Sequence, residues 1–232
     1  MKKLFNMYSI PTYSKNQKVL VFDLDHTIIG DCTILSKIDF IVKSMKWIPD
    51  RKPVEITVQE LMSHLQNGLL RPGFIDYIHR VREIYGSLVV VYTASLDYWA
   101  KKILKAINHL VGYQFYCLLL TREFCIPPNY DKSLDIVKSE LKKIGIYRND
   151  KDFIMIDNNQ VMVDKRLILA TGYHWAPYIS ILRRINPLGL ISPYDRNRAI
   201  QLEIEYFQGQ PFKNNHIHIL DTYFKKLSLD IY

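Results

Sequence analysis

The sequence predicts an α/β protein, a central parallel sheet flanked by helices, and three observations carry that prediction. Val19–Phe22 and the runs within Ser87–Ser95 and Asp152–Asn159 are apolar, rich in β-branched or aromatic residues, and each ends in polar residues. This is the pattern of strands buried on both faces. Between them lie segments whose apolar residues recur at helical spacing. No internal repeat or low-complexity tract breaks the alternation. In such a sheet, sites form where the carboxyl ends of the strands meet the loops.

The first helical pattern follows Pro72-Gly73, with Phe74, Ile75, Ile78, Val81 and Tyr85 on its apolar face, Arg82 as the exception, and Gly86 as the stop. The second, Leu96–Ile107, places Leu96, Trp99, Ala100, Ile103, Leu104 and Ile107 on one stripe. The third, Ser133–Ile144, does so with Leu134, Val137, Leu141 and Ile144 before Gly145. Two segments depart from the alternation. Residues 31–70 are long for a connection and are expected to form a flap or insert, with a short helix at Val58–Gln66. Residues 112–130 carry the strand-like "QFYCLLL" and the turn "IPPNY", and are expected to form a small β insertion. Past Val163 the pattern predicts helices at 178–185, 197–207 and 217–227, so 164–232 reads as a helical elaboration of one 1–232 domain.

Composition narrows the class. With 48% hydrophobic and 23% charged residues, the chain is expected to bury a full-sized core. No apolar run is long enough to cross a bilayer, and "MKKLFNMYSIPTYSKNQ" lacks the apolar stretch of a signal peptide. Three cysteines, Cys32, Cys117 and Cys125, are an odd number without zinc-like spacing. Free thiols in the cytoplasm or nucleus are therefore expected. The net charge of +8 points to an anionic partner. A phosphorylated peptide, nucleic acid or a membrane surface would each fit the charge alone, and the dispersed basic pairs read as a solvated face more than as a dedicated nucleic-acid stripe.

The chemistry lies in "KVLVFDLDHTIIG", Lys18–Gly30, where Asp23 and Asp25 close a buried strand and Thr27 follows. Two carboxylates so close repel each other and are costly to desolvate, which calls for a cation. Further along, Thr93 ends the second strand run, Lys132 precedes a helix, and Asp157-Asn158 end the third run. Together they supply what phosphoryl transfer requires. Asp23 would be the nucleophile and Asp25 the general acid and then base, with a turn just after Asp23 expected to bring Asp25 to the same site. Mg²⁺ takes oxygen ligands, and Asp23, the main-chain carbonyl of Asp25, and Asn158 or Asp157 would suit it. Thr93, with the backbone N–H groups of Ala94 and Ser95, would hold phosphate oxygens, and Lys132 would neutralise the developing charge.

These residues resemble the four motifs of the haloacid dehalogenase (HAD) superfamily. Over about Lys18–Asn159 the chain is similar to the phosphatases related to the RNA polymerase II C-terminal-domain phosphatases, the FCP/SCP or NLI-interacting-factor-like family. "VFDLDHTII", "LRPGFIDYI", "VVVYTASLDYWA", "LLLTREFC" with "YDKSLDIV", and "FIMIDNN" carry the likeness. The resemblance implies a Rossmann-like core, Mg²⁺ dependence, an aspartyl-phosphate on Asp23, and phosphoserine or phosphothreonine in proteins as substrate. It also implies that 112–130 is the family's β insertion and that Arg122, matching a family arginine-glutamate pair, contacts substrate or phosphate, or else pairs with Glu123 or a nearby acid. The chain departs from the family in having Asn159-Gln160 where Ser-Pro is usual, and in its longer 31–70 link. A HAD phosphatase acting on nucleic-acid ends or a small phosphate ester, and an inactive phosphoprotein-binding scaffold, are the alternatives. The sequence carries no signal for oligomeric state.

Overall fold

Val19–Phe22 forms strand β1, every residue of it buried, and its alternate side chains enter two different cores. The computed structural model describes residues 17–30, 56–84, 86–162 and 165–173, together with Tyr223, Phe224 and Leu227. Leu20 and Phe22 point to one face, where helices α1 (Val58–His64), α2 (Phe74–Glu83) and α3 (Asp97–Val111) pack. Val19 and Val21 point to the other, covered by α4 (Leu134–Lys143). A strand with a period of two and no polar face needs a cover on both sides, and the helices provide it.

Strands β2 (Leu88–Tyr92), β3 (Leu118–Leu120), β4 (Phe153–Asp157) and β5 (Leu167–Leu169) complete a five-stranded sheet in the order β3-β2-β1-β4-β5. All four pairings are parallel. The order reverses at β1, between β2 and β4, so the crevice at the carboxyl ends of these strands is the topological switch point where such folds bind ligands. Phe22 is in register with both Val91 and Ile156. Asp23 is therefore level with Tyr92 and Asp157.

Helix boundaries follow local chemistry. Thr57 caps α1 through its side chain, and Glu60 returns a bond to the Thr57 N–H, a reciprocal capping box. Ser133 caps α4 by accepting from the Asp135 N–H. Gly112 ends α3 with a left-handed φ of 88°, which a side chain would resist.

Three expectations are corrected. Residues 112–130 are not a separate β insertion, because 118–120 pair in parallel with β2 and bury Leu120 as the edge of the main sheet. What remains of it is one antiparallel bridge, Ile126 to Asp131. In the expected flap, residues 56–70 are built into the core, since Ile56, Leu61, Leu65, Leu69 and Leu70 are all buried there. In the expected helical elaboration, 167–169 are strand β5. The helices expected at 178–185 and 197–207, residues 31–55, and most of 217–227 lie outside the described residues. Tyr223, Phe224 and Leu227 are helical, and Phe224 meets Phe22, Phe74 and Tyr77 with ring centroids 5.1–6.2 Å apart. Burying such a side chain contributes roughly 1.5–3 kcal/mol.

Candidate active site

Asp23 is the first residue past β1, and its N–H still pairs with the Ile156 carbonyl at 2.9 Å. Its carboxylate is thus fixed beside Asp157, which ends β4. Lys132 fits between the two, with Nζ 2.5 Å from Asp23 Oδ1 and 2.6 Å from Asp157 Oδ2. At 5% exposure it is not a solvated residue ahead of a helix. Burial opposes its charge, but the two carboxylates overcome this and hold its pKa above the ordinary lysine value. Burial pushes Asp23 up to about 7 against the pull of Lys132, with Asp157 and Asp25 adding to the rise.

The chain then turns. Leu24 is buried in the core, and its carbonyl accepts from the Ile28 and Ile29 N–H groups at 3.0 Å. His26 takes a left-handed φ of 61°. Residues two apart on a continuing strand already share a face, so the turn is not what brings the two carboxylates to one side, contrary to the reason for expecting it. What it does is separate the two ends of Asp25. The carboxylate goes toward β2, where Ser95 Oγ donates to Oδ2 at 2.6 Å and Thr93 Oγ1 lies 3.4 Å away. The carbonyl goes toward β4, where Asn158 lies.

Asn158 places one end of its amide 3.2 Å from Asp23 Oδ2 and 3.1 Å from the Asp25 carbonyl. The Thr27 hydroxyl and the Asn159 amide nitrogen reach the same end at 3.3 and 3.4 Å. With nitrogen at that end, the amide donates to both oxygens; with oxygen there, it accepts from Thr27 and Asn159 and could join Asp23 Oδ2 and the Asp25 carbonyl as a cation ligand. Neighbouring ligands of an octahedral ion with arms of about 2.0–2.1 Å stand roughly 2.8–3.0 Å apart, a few tenths of an ångström closer than these atoms, so a small shift would bring the set to an ion. The residues therefore fit Mg²⁺. Among the described residues no group of three His, Cys, Asp or Glu side chains forms a metal site, because this set has one carboxylate, one amide and one main-chain carbonyl.

Asp157, weighed with Asn158 as a metal ligand, is bonded through both oxygens, as Asp23 is. Its Oδ2 takes the ammonium of Lys132 and its Oδ1 the Asn159 N–H at 2.8 Å. Ser95 differs from expectation. Its N–H donates to Thr93 Oγ1 at 3.1 Å and so lacks the free role expected of it, while its hydroxyl, which sequence reasoning passed over, grips Asp25. Ala94 lies at the crevice, and its carbonyl accepts from Arg122 Nε at 2.6 Å. Arg122 is exposed, and its guanidinium stands 5.1 Å from the centroid of the Tyr130 ring.

A family model described as NLI interacting factor-like phosphatase matches residues 18–180. The chain belongs to this family. The NLI interacting factor-like match spans all five strands and every residue of the crevice, and the sheet is the Rossmann-like parallel core expected for it. Among solved structures, Fcp1, titled an essential RNA polymerase II CTD phosphatase, is 18% identical with a TM-score of 0.47, over 93% of this chain and 61% of that one. A variant of fission yeast Fcp1 bound to beryllium fluoride is also 18% identical, with a TM-score of 0.46, over 93% of this chain and 62% of that one. CbbY from Rhodobacter sphaeroides with xylulose-(1,5)bisphosphate is 12% identical with a TM-score of 0.43, over 68% of this chain and 87% of that one. The chain thus spans somewhat over three-fifths of the two Fcp1 structures. No curated protein matches it. Among the described residues of this family member, no helix is long and apolar enough to cross a membrane.

Proposed function

We propose that the protein is a Mg²⁺-dependent phosphatase that hydrolyses phosphoserine or phosphothreonine in proteins through an aspartyl-phosphate on Asp23. The observation that carries this reading is the buried Lys132, bonded at once to Asp23 and Asp157. A buried cation with two carboxylates gives the crevice a fixed positive centre next to a nucleophilic oxygen, as phosphoryl transfer needs.

Asp23 Oδ1 attacks phosphorus while the bond to the leaving oxygen breaks, and Asp25 gives that oxygen its proton. Asp25, now a carboxylate, takes a proton from the water that attacks the aspartyl-phosphate, and cleavage of the phosphorus bond to Asp23 releases inorganic phosphate. Thr93 and the Ala94 N–H hold phosphate oxygens, and Lys132 balances their charge. Asp23 Oδ2, the Asp25 carbonyl, and Asn158 or Asp157 would hold Mg²⁺. When bound there, Mg²⁺ supplies charge neutralisation between Asp23 and the phosphate.

A protein substrate is favoured by the family and by the rim of the crevice. Exposed Arg122 and Tyr130 stand there, with Leu96 and Ile126 also more than 40% exposed. Together they offer a cation and apolar surface to the residues flanking a phosphorylated side chain. The completeness of the Asp23, Asp25, Thr93 and Lys132 set favours turnover over silent binding. The test is turnover with Mg²⁺ of phosphoserine and phosphothreonine peptides, phosphorylated oligonucleotides and an aryl phosphate. Preference for peptides is expected; preference for oligonucleotides would overturn the substrate, and no metal-dependent turnover would overturn the reading.

A further inference from the structure

The turn that carries Asp25 is held by residues far along the chain, and one of them is a buried cation. Arg71 is 2% exposed. Its N–H donates to the Ile28 carbonyl at 2.9 Å, and its Nη1 reaches the Thr27 carbonyl at 3.4 Å, so one residue grips two consecutive carbonyls of the turn. The same Nη1 donates to the Thr171 carbonyl at 2.9 Å. The guanidinium lies over the ring of Tyr223, 4.2 Å from its centroid, with the rings of Tyr173 and Phe224 at 5.5 and 5.9 Å. A planar cation suits this place, because it can stack on aromatic faces while its edge donates to several carbonyls.

Tyr173 closes the arrangement. Its N–H donates to the His26 carbonyl at 2.8 Å, and its own carbonyl lies 3.2 Å from His26 Nδ1. Its hydroxyl donates to the Gly68 carbonyl at 2.5 Å. His26 is the residue with the left-handed φ, a conformation that costs a side chain energy and persists only where its surroundings enforce it. Arg71 and Tyr173, packed on each other, thus hold the consecutive carbonyls of His26, Thr27 and Ile28.

We propose that Arg71, clamped against Tyr173 and Tyr223, is a positioning residue for the Asp25–Thr27 turn. It acts through Thr27, whose hydroxyl reaches Asp23 Oδ2 at 3.4 Å and accepts from the Asn158 N–H at 3.1 Å. The segment from Ala170 to Tyr173 and the Tyr223–Phe224 pair thereby help to hold the turn that carries Asp25. This role rests on the phosphatase reading only for its kinetic consequence.

The test uses Arg71→Lys, which keeps the charge but loses the planar fork, and Tyr173→Leu, which leaves the cation in place while removing one ring and the bond to Gly68. Each is measured for turnover of an aryl phosphate with Mg²⁺ and for amide hydrogen exchange. In Arg71→Lys, kcat should fall on the order of 10²-fold with KM changed less than about twofold, as expected for misplacement of a reacting group. Exchange over residues 24–30 should accelerate roughly tenfold while β2 stays protected, the mark of local opening. Tyr173→Leu should give the same pattern more weakly. Unchanged exchange over 24–30 in a folded variant, or equal loss of protection in β2, would overturn the proposal. Should the parent chain turn over no phosphate ester, the phosphatase reading fails and the exchange result alone decides the role of Arg71.

Discussion

Ser95 Oγ donates to Asp25 Oδ2 at 2.6 Å, across the gap between the carboxyl ends of β1 and β2. With Thr93 Oγ1 3.4 Å from the same oxygen, the bond holds the Asp25 carboxylate at the end of β2. Hydrogen bonds to charged groups contribute about 1.5–3 kcal/mol. Ser95→Ala should therefore lower kcat by roughly 10- to 100-fold, and more for alkyl phosphates than for an aryl phosphate whose leaving group needs no proton. Steady-state kinetics on the two substrate types would check this, and equal losses on both would detach Ser95 from acid catalysis.

The Lys132 ion pairs make a stability prediction. Lys132→Ala leaves Asp23 and Asp157, 6% and 0% exposed, as uncompensated buried acids. Breaking a buried pair in this way costs about 3–5 kcal/mol. Adding Asp157→Asn to Lys132→Ala should return part of that loss in a urea titration and none of the activity. Full recovery of activity would show that Lys132 serves only to balance charge.

Asp23 predicts a pH dependence. Its folded pKa is raised from 3.8 to about 7, chiefly by burial. Its contribution to stability is thus fully present below about pH 3.8 and is lost as pH rises through about 7. Without metal, the melting temperature of the parent chain should fall across that window relative to Asp23→Asn, which has no proton to lose there. Mg²⁺ at the proposed site would bind the ionised form, so it should raise the parent's melting temperature more at pH 7.5 than at pH 5, and leave Asp23→Asn unmoved. The same rise in the Asn variant would place the metal elsewhere.

Much of this site was legible because its residues close long, wholly apolar strands. Asp23, Thr93 and Asp157 each stand where β1, β2 or β4 runs out, and the polarity change marks them in the sequence. Lys132 was legible only through its order in the motif set, since nothing local separates it from a solvated lysine. β3 lies in the strand-like "QFYCLLL", but nothing local shows that it pairs with β2, and β5, three residues long, is too short to show a period. The choice between Asp157 and Asn158 depends on which way each side chain leaves the strand end. Ser95 and Arg71 act through the three-dimensional path of the turn at His26. The "RPG" around Arg71 reads locally as the approach to a helix, and its partners Thr171, Tyr173 and Tyr223 are about a hundred or more residues away.

The central claim is a covalent phosphate on Asp23, and it is tested most directly by trapping it. Asp25→Asn should still accept phosphate from an aryl phosphate, whose leaving group needs no acid, but should hydrolyse the intermediate slowly for want of a base. Mass spectrometry of the rapidly quenched variant with Mg²⁺ should then find one phosphate on Asp23, absent when Asp23→Asn is added. Phosphate on another residue, or undiminished turnover by Asp23→Asn with no phosphorylated protein, would contradict the account.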